Sequence, residues 1–385
     1  MITEQDSKVI SSLRLPLAIM VVAIHSFISI EGWSYEDVAI QGAGSNTAAF
    51  FMIAFSHVLC HVAVPTFFLI SGFLFFSNFG DGSRYVWKKK LLSRTKTLLL
   101  PYLLWNVLYI LWMMCWDVRG VMDAGMLVWL QEKGGLSMLW SSNHWNLDRV
   151  DLWGNPDIAS SPILVPFWFM RDLIVCVFLT PLFWLVFKKQ NANWVKVVGA
   201  SILVILYFTQ TSFGIPGLSS NTLFYFGIGT ALSINEAGIC NTIGKWRIPG
   251  YLLFGILFIV EVCLFGHNTF WGNIIYPFYV FAGVVTIVNV FSRVKFVNWG
   301  GQKYTFFIFA FHIFILSIVG SILSKSASWI TGSTIINDLA FADKYPIIVI
   351  LEYVLKIAIT LIVTILVYTV LEIISPRLCK LLCGR

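Results

Sequence analysis

The sequence predicts an all-α polytopic membrane protein, about ten transmembrane helices in one bundle with both termini cytoplasmic. Three observations lead there. Hydrophobic residues make up 58% of the chain and charged residues 12%, with a mean hydropathy of +0.81, which leaves too little polar surface to clothe a soluble globule. Apolar runs close to the bilayer-crossing length of about 20 residues recur along nearly the whole chain. Basic residues fall in alternate loops between these runs, so the net charge of +7 reads as a set of topology signals and not as a nucleic-acid footprint.

The first run, 10–30, is preceded by Lys8 set against Glu4 and Asp6 and is followed by no small-residue cleavage site, so a retained helix is expected there and not a secretion signal. The second, 50–76, leads into a loop with Arg84, Lys88, Lys89, Lys90, Arg94 and Lys96. The third, 97–116, opens onto the longest loop, 117–162, where "MLVWLQEK" has the pattern of a short helix. The fourth to sixth runs, 163–187, 194–210 and 219–235, enclose a basic loop with Lys188, Lys189 and Lys196; a further basic loop, with Lys245 and Arg247, precedes the seventh, 248–266. The eighth, 271–291, is followed by Arg293, Lys295 and Lys303, and the ninth and tenth, 304–324 and 346–374, precede Arg377, Lys380 and Arg385. Loops of the other parity carry only Arg119, Lys133, Arg149, Lys325 and Lys344, and collect acids such as Glu36, Asp117 and Asp157. The positive-inside rule then sets both termini inside and makes 117–162 an exterior loop of a single domain, 1–385.

A β-barrel is excluded, because the runs are about twice the length of a barrel strand and do not alternate polar with apolar. The seven cysteines are odd in number and lack disulfide or zinc spacing, so they are expected as packing residues, with Cys379 and Cys383 open to lipidation. The loop segment "MLWSSNHWNLDRVDLWGNPDIASSP" has two readings: a surface that stacks on sugar rings, or a tryptophan belt at the membrane interface. His57 and His61, four apart on one helix face, have metal-capable spacing, but no third ligand follows and no metal is predicted.

Within the first run, Arg14 and His25 are eleven residues apart. On a helix that separates them by about 20° in azimuth and about 16 Å along the axis, so they share one face. A charge facing lipid costs several kcal/mol, so that face is expected to look into the bundle or a wet cavity.

The segment "RLPLAIMVVAIH", residues 14–25, resembles the first helix of the integral membrane acyltransferase 3 family, an arginine and a histidine separated by ten mostly apolar residues. Four further stretches agree in order. "VPTFFLISGFLFF" (64–76) is similar to the second-helix motif, with Pro65, Ser71 and Gly72 in place. "SRTKTLLLPYLLWN" (93–106) resembles the basic approach to the third helix, "PFWFMRDLIVCVFLTPL" (166–182) the fourth, and "GGQKYTFFIFAFHIFIL" (300–316) a late helix carrying His312.

The resemblance implies transfer of an acyl group, usually acetyl from acetyl-CoA, to a hydroxyl of an exported or lipid-linked carbohydrate, in a bacterial cytoplasmic (inner) membrane. Oligomeric state is left open. A sugar hydroxyl needs a base near operating pH, and an imidazole, with an unperturbed pKa of about 6.5, suits His25 to that role or to that of a transient acyl acceptor. Coenzyme A carries several phosphates on the cytoplasmic side, which suits Arg14 and Arg94, with Lys90 and Lys96 nearby. Ser71 or the backbone near Gly72 is a candidate oxyanion donor. Arg171 is expected in the cavity and Asp172, about 100° round the helix, is free to neutralise another helix. His312 is expected either to shuttle protons or bind substrate, or to make a structural hydrogen bond. Glu352 and Lys356 are expected as an i, i+4 ion pair. The competing class is a multi-helix transporter in which Arg14, His25, Glu261 and His312 form a substrate or proton relay.

Overall fold

The computed structural model describes residues 2–27, 46–80, 82–150, 156–264, 270–293, 300–333 and 339–385, with side chains described outside 143–159, 264–273 and 339. Two compact units divide the chain: one comprises Met1–Ile2, Phe68–Ala237 and Val370–Arg385, the other Thr3–Phe67 and Gly238–Thr369.

In the second of these units, α1 runs Glu4–His25, its start capped by the Thr3 side chain, which accepts from the Asp6 amide at 3.0 Å. Asp6 itself is buried, and its Oδ1 accepts from the Cys240 amide at 2.9 Å, so a carboxylate meets the first turn of α10, Ile239–Gly244. A Cβ at 238 would lie 2.8 Å from the Asp6 carboxylate, so a larger residue there requires that side chain to shift.

Helix α2, Thr47–Phe76, is not a regular α-helix. Its turn Ile53–Val58 is π and the next, Leu59–Val62, is 3-10. The changeover releases the Val58 carbonyl, which accepts from Tyr279 Oη at 2.9 Å. Helix α3, Arg84–Trp116, likewise contains a π turn at Thr95–Leu99.

The segment after α3 holds α4, Val118–Ala124, and α5, Met126–Glu132, the latter being the helix expected at "MLVWLQEK". It then forms an antiparallel hairpin, β1 Asn143–Val150 with β2 Pro156–Ser161, Asn143 opposite Ser161. This hairpin and an isolated antiparallel bridge between Ser212 and Ser219 depart from an all-α chain. A polar stretch without helical periodicity satisfies its backbone by cross-strand pairing instead. Of the tryptophans in the sugar-stacking and belt readings, Trp140 is partly exposed and packs on Tyr102, ring centroids 6.3 Å apart, while the side chains of Trp145 and Trp153 lie outside the described residues.

The expected span at 163–187 is a bent pair, Val165–Phe178 (α6) and Thr180–Phe187 (α7), meeting at 52°. Pro181, which has no N–H to continue the ladder, sits in the first turn of α7. The remaining helices are α8 Asn193–Phe208, α9 Ser220–Ile234, α11 Arg247–Leu264, α12 Phe270–Phe291, α13 Gly301–Thr331, α14 Leu339–Lys344, α15 Pro346–Ile374 and α16 Pro376–Leu382.

Among the described residues, six helices are long and apolar enough to cross a membrane, or seven if α6 and α7 make one span. The chain is a multi-pass, mainly α-helical membrane protein. The runs at 194–210, 219–235 and 248–266 are the helices α8, α9 and α11, and do not belong to those six.

Each unit is packed through close helix contacts. In one, Ala18 and Val22 of α1 meet Ile308 of α13, with Leu15, Tyr304 and Leu361 around them. In the other, α2 and α9 cross backbone to backbone: a Cβ at Gly72 would lie 2.1 Å from the Phe226 carbonyl oxygen, and one at Gly229 2.1 Å from that of Leu69. The expected Glu352–Lys356 pair is an attraction across a gap, with no nitrogen–oxygen contact within 4.0 Å. Glu352 Oε1 instead accepts from Ser324 Oγ of α13 at 2.6 Å, a shorter reach for a carboxylate on the helix seam, while the Lys356 chain runs beside Gly320. All seven cysteines are free, and five are buried. Burial pushes the Cys383 thiol up to about 12, so it is a poor nucleophile for lipid attachment.

Candidate active site

The last turn of α1 carries His25. Its Nδ1 lies 2.9 Å from the Val21 carbonyl oxygen. A carbonyl can only accept, so Nδ1 holds the proton and the neutral ring presents a bare Nε2 lone pair. His312 on α13 repeats the arrangement, with Nδ1 3.1 Å from the Ile308 carbonyl oxygen. Its ring is fully buried, and its Nε2 has no hydrogen-bond partner among the described residues. The two imidazoles lie 5.1 Å apart, centroid to centroid. The α1–α13 seam thus brings together two of the histidines singled out in the sequence, each tautomer set by the carbonyl one turn back.

What holds His25 is a set of caps. The final carbonyls of a helix lack intrahelical donors. Here Ala23 O accepts from Ser56 Oγ at 2.9 Å and from Tyr353 Oη at 3.4 Å, and Val22 O accepts from Ser26 Oγ at 2.7 Å. The two hydroxyls lie 2.6 Å apart, and with the Ser56 proton on Ala23 O, Tyr353 shares its own proton between Ser56 Oγ and Ala23 O. The π turn of α2 supplies Ser56 to this network and sets His57 near Phe27, ring centroids 4.7 Å apart. Sequence reading passed over Ser56 and Tyr353. Ser56 leaves only the faint signal of a hydroxyl next to His57 inside an apolar run, and nothing local links it to a tyrosine nearly 300 residues away.

His57 and His61 are neighbours, centroids 5.8 Å apart, and His61 Nδ1 meets Tyr276 Oη at 3.4 Å. Among the described residues no group of three His, Cys, Asp or Glu side chains could hold a metal ion. Arg14, on the same helix as His25, has an exposed side chain.

The other predicted residues belong to the unit containing Phe68–Ala237. Lys90 Nζ donates to the Ser77 carbonyl at 2.9 Å, just past the C-terminal end of α2, where a cation is favoured by the helix dipole. Arg94 lies over the Phe75 ring, 5.8 Å from its centroid, and Lys96 is exposed. Gly72 lies inside α2, where its amide is spent on the helix ladder and its Cα abuts Phe226, and Ser71 beside it is half-buried.

Arg171 and Asp172 pair with each other, and Asp172 also accepts from Thr222 of α9. The guanidinium folds back onto its neighbour, Nη2 to Oδ1 2.8 Å and Nε to Oδ1 3.0 Å, and both residues are buried. A long flexible stem overcomes the 100° between adjacent positions, because two buried charges gain more from each other than from any more distant partner. Arg171 Nη1 also donates to the Trp140 carbonyl at 3.1 Å and to Ser160 Oγ at 3.0 Å. It therefore ties α6 to the segment before β1 and to the end of β2.

A mainly α-helical, multi-pass membrane protein with a buried His312 and a half-buried His25, each holding its proton on Nδ1, offers unprotonated Nε2 atoms as proton acceptors. The acyltransferase 3 family, described as an acyltransferase domain, matches residues 9–369, and the chain belongs to that family. It is a membrane acyltransferase. No curated protein and no solved structure matches the chain.

Proposed function

We propose that the protein is an O-acetyltransferase of the bacterial inner membrane, which moves acetyl from acetyl-CoA to a hydroxyl of an exported or lipid-linked carbohydrate. The observation that carries this reading is the His25 tautomer, fixed by Val21 O, in a chain of the acyltransferase family. His25 Nε2 takes the hydroxyl proton as the hydroxyl oxygen attacks the thioester carbonyl. The C–S bond then breaks, and the leaving thiolate receives that proton. His312, with an unpartnered Nε2 5.1 Å away by ring centroid, suits a substrate contact or proton relay beside it. Arg14, Arg94, Lys90 and Lys96 are the proposed contacts of the donor phosphates, and the Ser71 hydroxyl the proposed oxyanion donor. Arg171 acts on the substrate side by holding the hairpin segment. Ten membrane passages with both termini inside, and one functional domain over 1–385, complete the reading. Family membership favours acyl transfer over the transporter reading.

The test is His25→Ala in purified, detergent-solubilised protein. Loss of a general base lowers turnover by about 10²–10⁴-fold. A monodisperse sample that still turns over at the parent rate removes His25 from the reaction.

A further inference from the structure

The unit that contains α2, α7 and α9 has a cavity of about 290 Å³ among the turn after α2, the end of α7 and the end of α9. These turns belong to loops of the parity expected inside. Its walls are aromatic: Phe76 and Trp184 lie parallel, 6° apart at 6.0 Å, and Phe79 packs against Trp184 at 4.9 Å. Two side-chain amides, Asn78 and Gln190, also line it, and Asn78 holds a left-handed backbone, φ 55°. An exposed Lys189–Glu236 pair, 2.8 Å, sits on the lining, where such a pair opens at little cost.

The rim is basic. Ser77, which lines the cavity, accepts from Lys90 Nζ at 2.9 Å, and Trp87 of the same α3 turn packs on Phe79 at 4.7 Å, with Lys88 and Lys89 exposed beside it. A flat aromatic wall, amides that each offer a donor and an acceptor, and cations at the mouth match a planar heterocycle bearing phosphates. Lipid acyl chains have no use for the amides.

We propose that this cavity is the docking site for the adenine of the acyl-CoA donor: the base stacks on Trp184, Asn78 and Gln190 read its hydrogen-bonding edge, and its phosphates meet Lys88, Lys89 and Lys90. This rests on the acetyl-CoA reading above and adds to it a subsite with its own residues.

The experiment compares two donors, acetyl-CoA and S-acetylpantetheine, which lacks the nucleotide. In Trp184→Leu the ratio of kcat/KM for acetyl-CoA to that for S-acetylpantetheine falls about tenfold, the scale of one lost base–aromatic stack. A ratio within twofold of the parent overturns the subsite. Because Trp184→Leu can fail to fold, the parent protein is also photolabelled with 8-azidoadenosine 3′,5′-bisphosphate and digested. Label on residues 73–80 or 184–190, displaced by coenzyme A, supports the subsite, and label confined to other peptides overturns it. If the parent uses acetyl-CoA but both measurements go against the cavity, this inference falls and the acetyltransferase reading stands. If the parent neither uses acetyl-CoA nor takes the label, both fall.

Discussion

His25 owes its chemistry to the hydrogen bond on its far side: Val21 O takes the Nδ1 proton and leaves Nε2 to the reaction. Arg171 shows the opposite case, a cation whose donors are largely consumed by Asp172, Trp140 O and Ser160. Arg171→Ala leaves Asp172 buried opposite a void and is expected to cost about 3–5 kcal/mol, read as a lowered thermal midpoint in detergent; an unchanged midpoint refutes the lock. Outside the membrane helices, Asp117 accepts from Trp129 Nε1 at 2.8 Å and from the Gly120 amide at 3.2 Å, and these bonds hold its carboxyl below the usual range. A carboxylate with a depressed folded-state pKa stabilises fully above its unfolded value and loses that contribution as pH falls through the folded value. Amide exchange in α4 is therefore expected to be flat from pH 7 down to the ordinary carboxylate range, after correction for intrinsic rates, and to rise below it. A rise that persists in Asp117→Asn would belong to another group. Residue type and helical spacing pick out Arg14 and His25 in the sequence, and the resemblance of 300–316 to a family segment picks out His312. Ser56 and Tyr353 were hidden, since their contact closes a separation of 297 residues.

At the scale of elements, glycine decides how closely α2 and α9 approach. Gly72→Ala and Gly229→Ala each drive a methyl to 2.1 Å from a carbonyl oxygen, and each is expected to cost about 3 kcal/mol or more. Gly255→Ala is the contrast: a Cβ there meets nothing within 4 Å, so in the interior of α11 it is expected to stabilise by up to about 1 kcal/mol. Thermal melts of the three variants check the pair and its control together, and a tolerated Gly72→Ala would disprove the tight crossing. Apolar run length located the helices well, because bilayer thickness imposes it. It missed the 52° break before Pro181 and both π turns, because these depend on which neighbouring helix or side chain takes the released carbonyl. The β-hairpin escaped for a related reason: its strands are polar and short, and their pairing is set by the register between them.

For the whole molecule, the distribution of lysine and arginine carries the proposed orientation. Single cysteines replacing Lys89 and Leu127 in a chain cleared of its native thiols are expected to react with a membrane-impermeant maleimide from opposite sides, Leu127→Cys in intact cells and Lys89→Cys only after lysis. Labelling of both in intact cells would refute the orientation. The π turn at Thr95–Leu99 lies between two stretches of α3 with separate duties, Lys90 and Arg94 on one side and buried Tyr102, Trp105 and Asn106 on the other. A wide turn of this kind amounts to one surplus residue in an otherwise regular coil. Excising a single residue there would let the coil close into an ordinary spiral with both flanks still facing as they do, so that Lys90 keeps Ser77 and Arg94 keeps Phe75 although the count along the chain has changed. Relatives of this chain that differ by one position in that stretch should therefore be aligned by which face each residue presents and not by distance along the chain.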